Sequence, residues 1–150
     1  MEIERKYLID SIPFDVNQYR YYNIEQAYLC TNPVIRIRRQ DDDYFLTYKG
    51  EGLLEREEYN LPLTCEGYNH LLPKADGNVI SKRRYLIPLD NSHTIELDIF
   101  DGYKKGLILA EVEFNTRDEA DSFSPPEWFG KDVTFDTHYH NSAMSKEKIV

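Results

Sequence analysis

The sequence predicts an α+β fold made mainly of antiparallel β-strands, closed into a barrel of about eight strands with a charged interior and a few short flanking helices. Three observations predict it. Apolar or aromatic residues alternate with charged ones over many short runs, the period-2 signature of strands with two unlike faces. Gly, Pro and Asp-rich breaks punctuate those runs at fairly regular intervals, as hairpins require. Charge recurs at alternate positions of nearly every run, so an open sheet would expose one face that is charged throughout.

The bulk properties set the limits. A chain of 150 residues is the size of one domain with a real core, so a single domain over residues 1–150 is expected. Its 41% hydrophobic and 30% charged residues are ordinary for a globular protein. No apolar run approaches the roughly 18 residues of a membrane-spanning helix, so no membrane partner is expected. The acidic start at Glu2 and Glu4 lacks the basic and apolar regions of a secretory leader. Cys30 and Cys65 make neither a disulfide framework nor a metal cluster; they read as half-buried thiols in a reducing cytoplasm. The net charge of −9 argues against nucleic acid, whose affinity comes from Lys and Arg on phosphates. A small polyanion in a locally basic pocket remains compatible with it.

In chain order, Glu2–Ile9 reads as the first strand, ended by Asp10, Ser11 and Pro13. Because strand side chains alternate, Glu2, Glu4 and Lys6 share one face at about 7 Å spacing, with Ile3, Arg5 and Tyr7 on the other. A turn or short helix at Phe14–Tyr19 leads to a strand at Ile24–Leu29, and Val34–Arg39 alternates without ambiguity. Asp41-Asp42-Asp43 makes a hairpin turn and lacks the spacing of a calcium loop. Tyr44–Lys49 returns to Gly50 and Gly52, and Leu54–Leu61 follows as far as Pro62. Thr64–Leu72 reads as a short helix closed by Pro73. Val79–Pro88 and Thr94–Phe100 form a hairpin through Asp90-Asn91, and Leu107–Phe114 is the last strand. Thr116-Arg117-Asp118-Glu119 has capping-box spacing for a helix burying Ala120 and Phe123, stopped by Pro125-Pro126. A tail helix is expected near Ser142–Lys148.

The charged positions sort by sign in a way a solvated face does not require. Arg36/Arg38 and Lys82/Arg84 put only bases on two strands, while Glu96/Asp98 and Glu111/Glu113 put only acids on two others. Unscreened like charges at this spacing are costly unless something of opposite sign lies between them. Folded into a barrel, the interior collects an acidic set (Glu2, Glu4, Glu58, Glu96, Asp98, Glu111, Glu113) and a basic set (Lys6, Arg36, Arg38, Lys49, Arg56, Lys82, Arg84). A divalent cation answers the first and a phosphate chain the second, because hard cations take oxygen ligands and Arg grips phosphate bidentately. The residues therefore point to a metal-bridged polyphosphate.

Glu2-Ile3-Glu4-Arg5-Lys6 resembles the Glu-x-Glu-x-Lys signature of the CYTH superfamily, the triphosphate tunnel metalloenzymes. The resemblance continues in order through Gln26-Ala27-Tyr28-Leu29, Arg36-Ile37-Arg38, Tyr48-Lys49-Gly50, Arg56-Glu57-Glu58 and Lys82-Arg83-Arg84-Tyr85. Then come Glu96-Leu97-Asp98, Glu111-Val112-Glu113-Phe114, Trp128-x-Gly130 and Tyr139-x-Asn141. It implies an eight-stranded tunnel that binds a triphosphate with two divalent ions, Mg²⁺ or Mn²⁺. By the same resemblance Lys6, Arg36, Arg38, Lys49, Arg56, Lys82 and Arg84 would hold phosphates. Glu2, Glu4, Asp98, Glu111 and Glu113 would bind or support the metals, with Glu58 and Glu96 nearby. Lys82 and Tyr28 would sit at the attacked phosphorus, and Glu4 and Glu113 would be indispensable to turnover. Two positions depart from the pattern: Asn60 replaces a glutamate, and His138 replaces an arginine.

These readings favour hydrolysis of inorganic tripolyphosphate by a cytoplasmic monomer or homodimer, since a short chain leaves few residues to recognise a base. An enzyme for an organic triphosphate (cyclase, thiamine triphosphatase or nucleotidase) and a non-catalytic polyphosphate sensor are the alternatives. His70 and His93 read as surface residues, and His138 and His140 are too sparse for a zinc site. No Gly-rich phosphate loop is present, and Trp128 reads as a packing anchor.

Overall fold

Two-faced strands must hide one face, and here they do so by wrapping around each other. The computed structural model describes residues 1–147. Its strands are β1 (Glu2–Leu8), β2 (Arg20–Thr31), β3 (Val34–Gln40), β4 (Asp43–Lys49) and β5 (Glu55–Arg56). They continue with β6 (Glu58–Leu63), β7 (Asp76–Pro88), β8 (Thr94–Asp101) and β9 (Ile108–Glu113). All join one nine-stranded sheet in the order β5-β1-β9-β8-β7-β2-β3-β4-β6, and every pairing is antiparallel.

The sheet's two edges, β5 and β6, are separated in the chain by Glu57 alone. The strand expected over Leu54–Leu61 is thus split, and the barrel has nine strands rather than eight. The cause is that one stretch serves two partners: Arg56 pairs with Glu2 of β1, and Glu58 pairs with Lys49 of β4. At the break the Gly50 N–H donates to the Glu57 carbonyl at 3.0 Å. The approach to β5 needs Gly52, whose φ is +124° and whose added Cβ would meet the Glu55 carbonyl oxygen at 2.1 Å. The barrel is nearly closed, by chain connectivity where the ladder stops.

Two strands run longer than their hydrophobic pattern. β2 begins at Arg20 and β7 at Asp76, because each polar end ladders against the other strand: Arg20 faces Leu86, and Asp76 faces Tyr28. The β3–β4 turn holds Asp41 at φ 52°, where its carboxylate accepts from the Asn23 N–H at 2.8 Å.

Among the described residues three short helices flank the strands: α1 (Cys65–Leu71), α2 (Arg117–Asp121) and α3 (Asn141–Ser145). Thr64 caps α1 by accepting from the Gly67 N–H, and Pro73 lies in the tight turn that ends it. α1 buries Tyr68 against Ala27 and Ile37. Thr116 caps α2 by accepting from the Glu119 N–H, and Ala120 is fully buried beneath it. Of the tail helix expected to reach Lys148, that last residue lies outside the described residues. Cys65 is exposed rather than half-buried, and both thiols are free.

Besides the cluster around Tyr68, apolar residues pack in two places. Ile3, Tyr7, Tyr85, Leu97, Val112 and Phe114 turn outward and are covered by α2 and by Phe123, Trp128 and Phe129. Trp128 meets Phe129 edge-on with centroids 4.7 Å apart, a packing role. The second cluster lies on the inward side at one end of the barrel. Leu8, Ile80, Phe100 and Leu109 share the parity of the charged rows, and Val133 and Met144 close over them. The interior is therefore a charged cup on an apolar floor. Gly77 (φ +73°) lets α3 sit down on β7, since a Cβ there would lie 2.1 Å from the Ser145 carbonyl oxygen.

Candidate active site

Above that floor the inward rows meet in a cavity of about 160 Å³. Glu2, Glu4 and Lys6 line it from β1, Glu111 and Glu113 from β9, Glu96 from β8 and Arg84 from β7. Tyr28, Arg36, Arg38 and Lys49 line it from β2 to β4, and Arg56, Glu58 and Asn60 from β5 and β6. The register explains the convergence: Glu4 faces Glu113 across the ladder, Lys6 faces Glu111, and Arg84 faces Asp98. Of the residues expected inside, only Lys82 and Asp98 do not reach the cavity wall.

Those two form a buried pair instead. Lys82 Nζ stands 2.7 Å from Asp98 Oδ2, with both side chains at 0% exposure. Arg84 adds Nε and Nη2 contacts of 2.8 and 2.9 Å to the same carboxylate. Burial pulls the Lys82 amine down to about 7 although Asp98 opposes the shift. Asp98 thus faces two bases, Lys82 and Arg84, and Lys82 also reaches Asn141 at 3.3 Å.

Most other bases also have acids. Lys6 pairs with Glu111 at 3.3 Å, and Lys49 with Glu2 at 3.0 Å and Glu58 at 3.3 Å. Arg56 pairs with Glu2 at 3.2 Å, and Arg84 with Glu96 at 2.9 Å and Glu111 at 3.3 Å. Burial would raise the Glu2 carboxyl, yet Lys49 and Arg56 bring it down to about 2. Burial is likewise outweighed at Glu111, held well below its usual range by Lys6 and Arg84. Sorting by sign is therefore incomplete: where acidic and basic strands adjoin, they neutralise each other.

What is left over defines the site. Among the described residues Glu4 and Glu113 make no ion pair, nor do Arg36 and Arg38. Burial, Glu111 and Glu2 push Glu4 up to about 8, and burial with Glu2, Glu96 and Glu58 raises Glu113. Burial and the neighbouring Arg36 and Arg84 pull Arg38 down to about 9. Arg36 is 5% exposed and its Nε has no hydrogen-bond partner. Each unpaired set is electrostatically uncomfortable alone, and each is relieved by a ligand of opposite charge.

The donor chemistry at Glu4 and Glu113 fits a hard divalent cation. The oxygens are carboxylate, and the described residues offer no group of three or more His, Cys, Asp or Glu poised to hold an ion unaided.

The C-terminal stretch supplies wall residues that the charge pattern did not reveal. His140, Asn141 and Ser142 line the cavity. His140 Nε2 donates to the Thr134 carbonyl at 3.0 Å, and burial with nearby Lys6 depresses the imidazole to about 4, so it stays neutral. Their sequence signal was the Tyr139-x-Asn141 signature. Gln26 and Thr47, both fully buried, also touch the cationic side chains. His138 is 86% exposed on the outer surface, so that departure from the family pattern does not touch the cavity.

Comparison with known proteins agrees with this geometry. The family model described as CYTH domain matches residues 1–148. The sequence is 38% identical to the inorganic triphosphatase of Nitrosomonas europaea over 147 residues, 96% of each chain. It is 30% identical to the inorganic triphosphatase of Acetivibrio thermocellus over 148 residues, 97% of this chain and 93% of that one. The crystal structure of the inorganic triphosphatase NE1496 aligns with a TM-score of 0.73 at 35% identity, covering 99% of this chain and 96% of that one. From the charged cup to the order of signatures along the chain, sequence and fold converge, and the protein belongs to the CYTH domain family.

Proposed function

We propose that the whole chain, as one domain, is a divalent-metal-dependent inorganic triphosphatase that converts tripolyphosphate and water to diphosphate and phosphate. The observation that carries this reading is the pairing of unneutralised Arg36 and Arg38 with unneutralised Glu4 and Glu113 in one small cavity. At about 160 Å³ it falls below the ~300 Å³ at which pockets begin to enclose drug-sized organic molecules, which favours an inorganic chain. The likeness to two inorganic triphosphatases supports the same substrate.

In this reading Arg36 and Arg38 grip phosphate oxygens, and Lys6, Lys49, Arg56, Lys82 and Arg84 complete the basic set that offsets the charge of the chain and of the attacked phosphorus. Positioning and charge neutralisation are the chief demands of phosphoryl transfer, and fixed guanidinium groups supply both. Glu4 and Glu113 hold Mg²⁺ or Mn²⁺, with Glu2, Glu58, Glu96 and Glu111 shaping the field around two ion positions. Such an ion neutralises phosphoryl oxygens and acidifies water when bound. Tyr28 is 3% exposed on the wall opposite the acids and orients the reacting phosphate through its hydroxyl. The free thiols accord with action in the cytoplasm.

Phosphate release from tripolyphosphate, thiamine triphosphate and ATP, each with Mg²⁺, Mn²⁺, Ca²⁺ or EDTA, tests the proposal. Tripolyphosphate with Mg²⁺ or Mn²⁺ is expected to be fastest, and EDTA to stop turnover. Full activity in EDTA would remove the metal from the reading. Faster hydrolysis of an organic triphosphate, or cyclic AMP from ATP, would replace the substrate. Binding without turnover would make the protein a sensor.

A further inference from the structure

The inward-facing bases are held in two chemically different ways. Lys6, Lys49, Arg56, Lys82 and Arg84 each contact at least one carboxylate within 3.3 Å. Arg36 and Arg38 are held only by neutral groups. Gln26 Oε1 accepts from both Nε and Nη2 of Arg38, at 2.9 and 2.6 Å. Arg36 Nη2 donates to Thr47 Oγ1 at 3.2 Å, Thr47 donates to Asn60 Oδ1 at 2.6 Å, and Asn60 Nδ2 donates to Glu58 Oε1 at 3.3 Å.

The sheet register builds both devices. Gln26 is the cross-strand partner of Arg38, Arg36 of Thr47, and Thr47 of Asn60. Gln26 and Thr47 are at 0% exposure, so water cannot replace them. A carboxylate at either place would orient the guanidinium equally well and cancel its charge. The amide and hydroxyl orient without cancelling. Asn60 extends this economy: its Oδ1 accepts a hydrogen bond from the Thr47 hydroxyl, which leaves its amide to donate to Glu58.

We propose that Gln26 and the Thr47–Asn60 pair are positioning residues that aim Arg38 and Arg36 at the substrate anion while keeping both cations unneutralised. The proposal rests on the anion site of the function proposed above, and goes beyond it by assigning uncharged residues a part in affinity.

Gln26→Glu is the discriminating variant, since it keeps shape and hydrogen bonds and changes only charge. Tripolyphosphate binding by calorimetry and steady-state rates are measured alongside thermal melting. The expected result is a KM and Kd raised about tenfold, the scale of a charge pair lost or gained in a site, with kcat changed less and the melting point held or raised. Thr47→Val is expected to raise KM similarly, and Thr47→Ser to restore it. An unchanged Kd in folded Gln26→Glu, or equal KM for Thr47→Val and Thr47→Ser, overturns the proposal. A wild-type protein that binds tripolyphosphate without hydrolysing it sinks only the triphosphatase reading, because the Kd comparison still decides this one. A wild-type protein that binds no phosphate chain sinks both.

Discussion

Asp98→Asn is expected to destabilise the protein by about 3–5 kcal/mol, the cost of removing one member of a buried ion pair. The carboxylate is fully buried and takes hydrogen bonds from Arg84 Nε and Nη2 as well as Lys82 Nζ. An amide keeps the volume but strips the charge, leaving an ammonium and a guanidinium facing each other in a dry interior. At roughly 2–4 °C per kcal/mol for a chain of this size, the melting point should fall by about 10 °C. Thermal melting of the metal-free protein checks it. A variant that melts like wild type yet no longer binds Mn²⁺ would place Asp98 among the metal ligands after all.

Glu4→Gln should do the reverse, sparing the fold and removing activity. Burial and the neighbouring Glu111 and Glu2 outweigh Lys49 and Lys6 and raise its carboxyl from 4.5 to about 8. Between those two pH values the folded protein keeps a proton that the unfolded chain has released. The group's contribution is therefore complete below pH 4.5, and metal-free stability declines as the pH climbs through 8. Glu4→Gln should flatten that decline. Wild-type protein should release protons on binding Mg²⁺ or Mn²⁺ at pH 7, and the variant should not. Turnover should fall on the order of 10³-fold, the scale of losing a principal electrostatic element of a site. Proton release equal to wild type, with activity retained, would move the metal elsewhere.

Much of this site was readable from alternation alone. In β1, β3, β8 and β9 the pattern of charged and apolar residues names the inward face, because a one-residue slip would bury Glu4 or Arg36 on the wrong side. Depth was not readable. Lys82 and Arg84 look equivalent in sequence, two apart on one strand, but Lys82 pairs across the ladder with Phe100 of the apolar floor, whereas Arg84 reaches the cavity. The apolar floor hid for the same reason, since Leu8, Ile80, Phe100 and Leu109 come from four strands and meet only at the final stagger. The break at Glu57 carries no turn signal; it is imposed by two ladders competing for one segment. Gln26 and Thr47 escaped a search for charge because their part depends on having none.

The meeting of β5 and β6 at Glu57 bears on how the protein keeps to itself. An open sheet presents its outermost strand as a template on which another chain can add. Here one outer strand is only two residues long, while the other, β6, pairs with β4 along one side and carries Pro62, which has no N–H to offer an incoming strand. Tyr59 and Leu61 are exposed on that same strand, so β6 is the edge where an incoming chain would meet unpaired backbone together with apolar side chains.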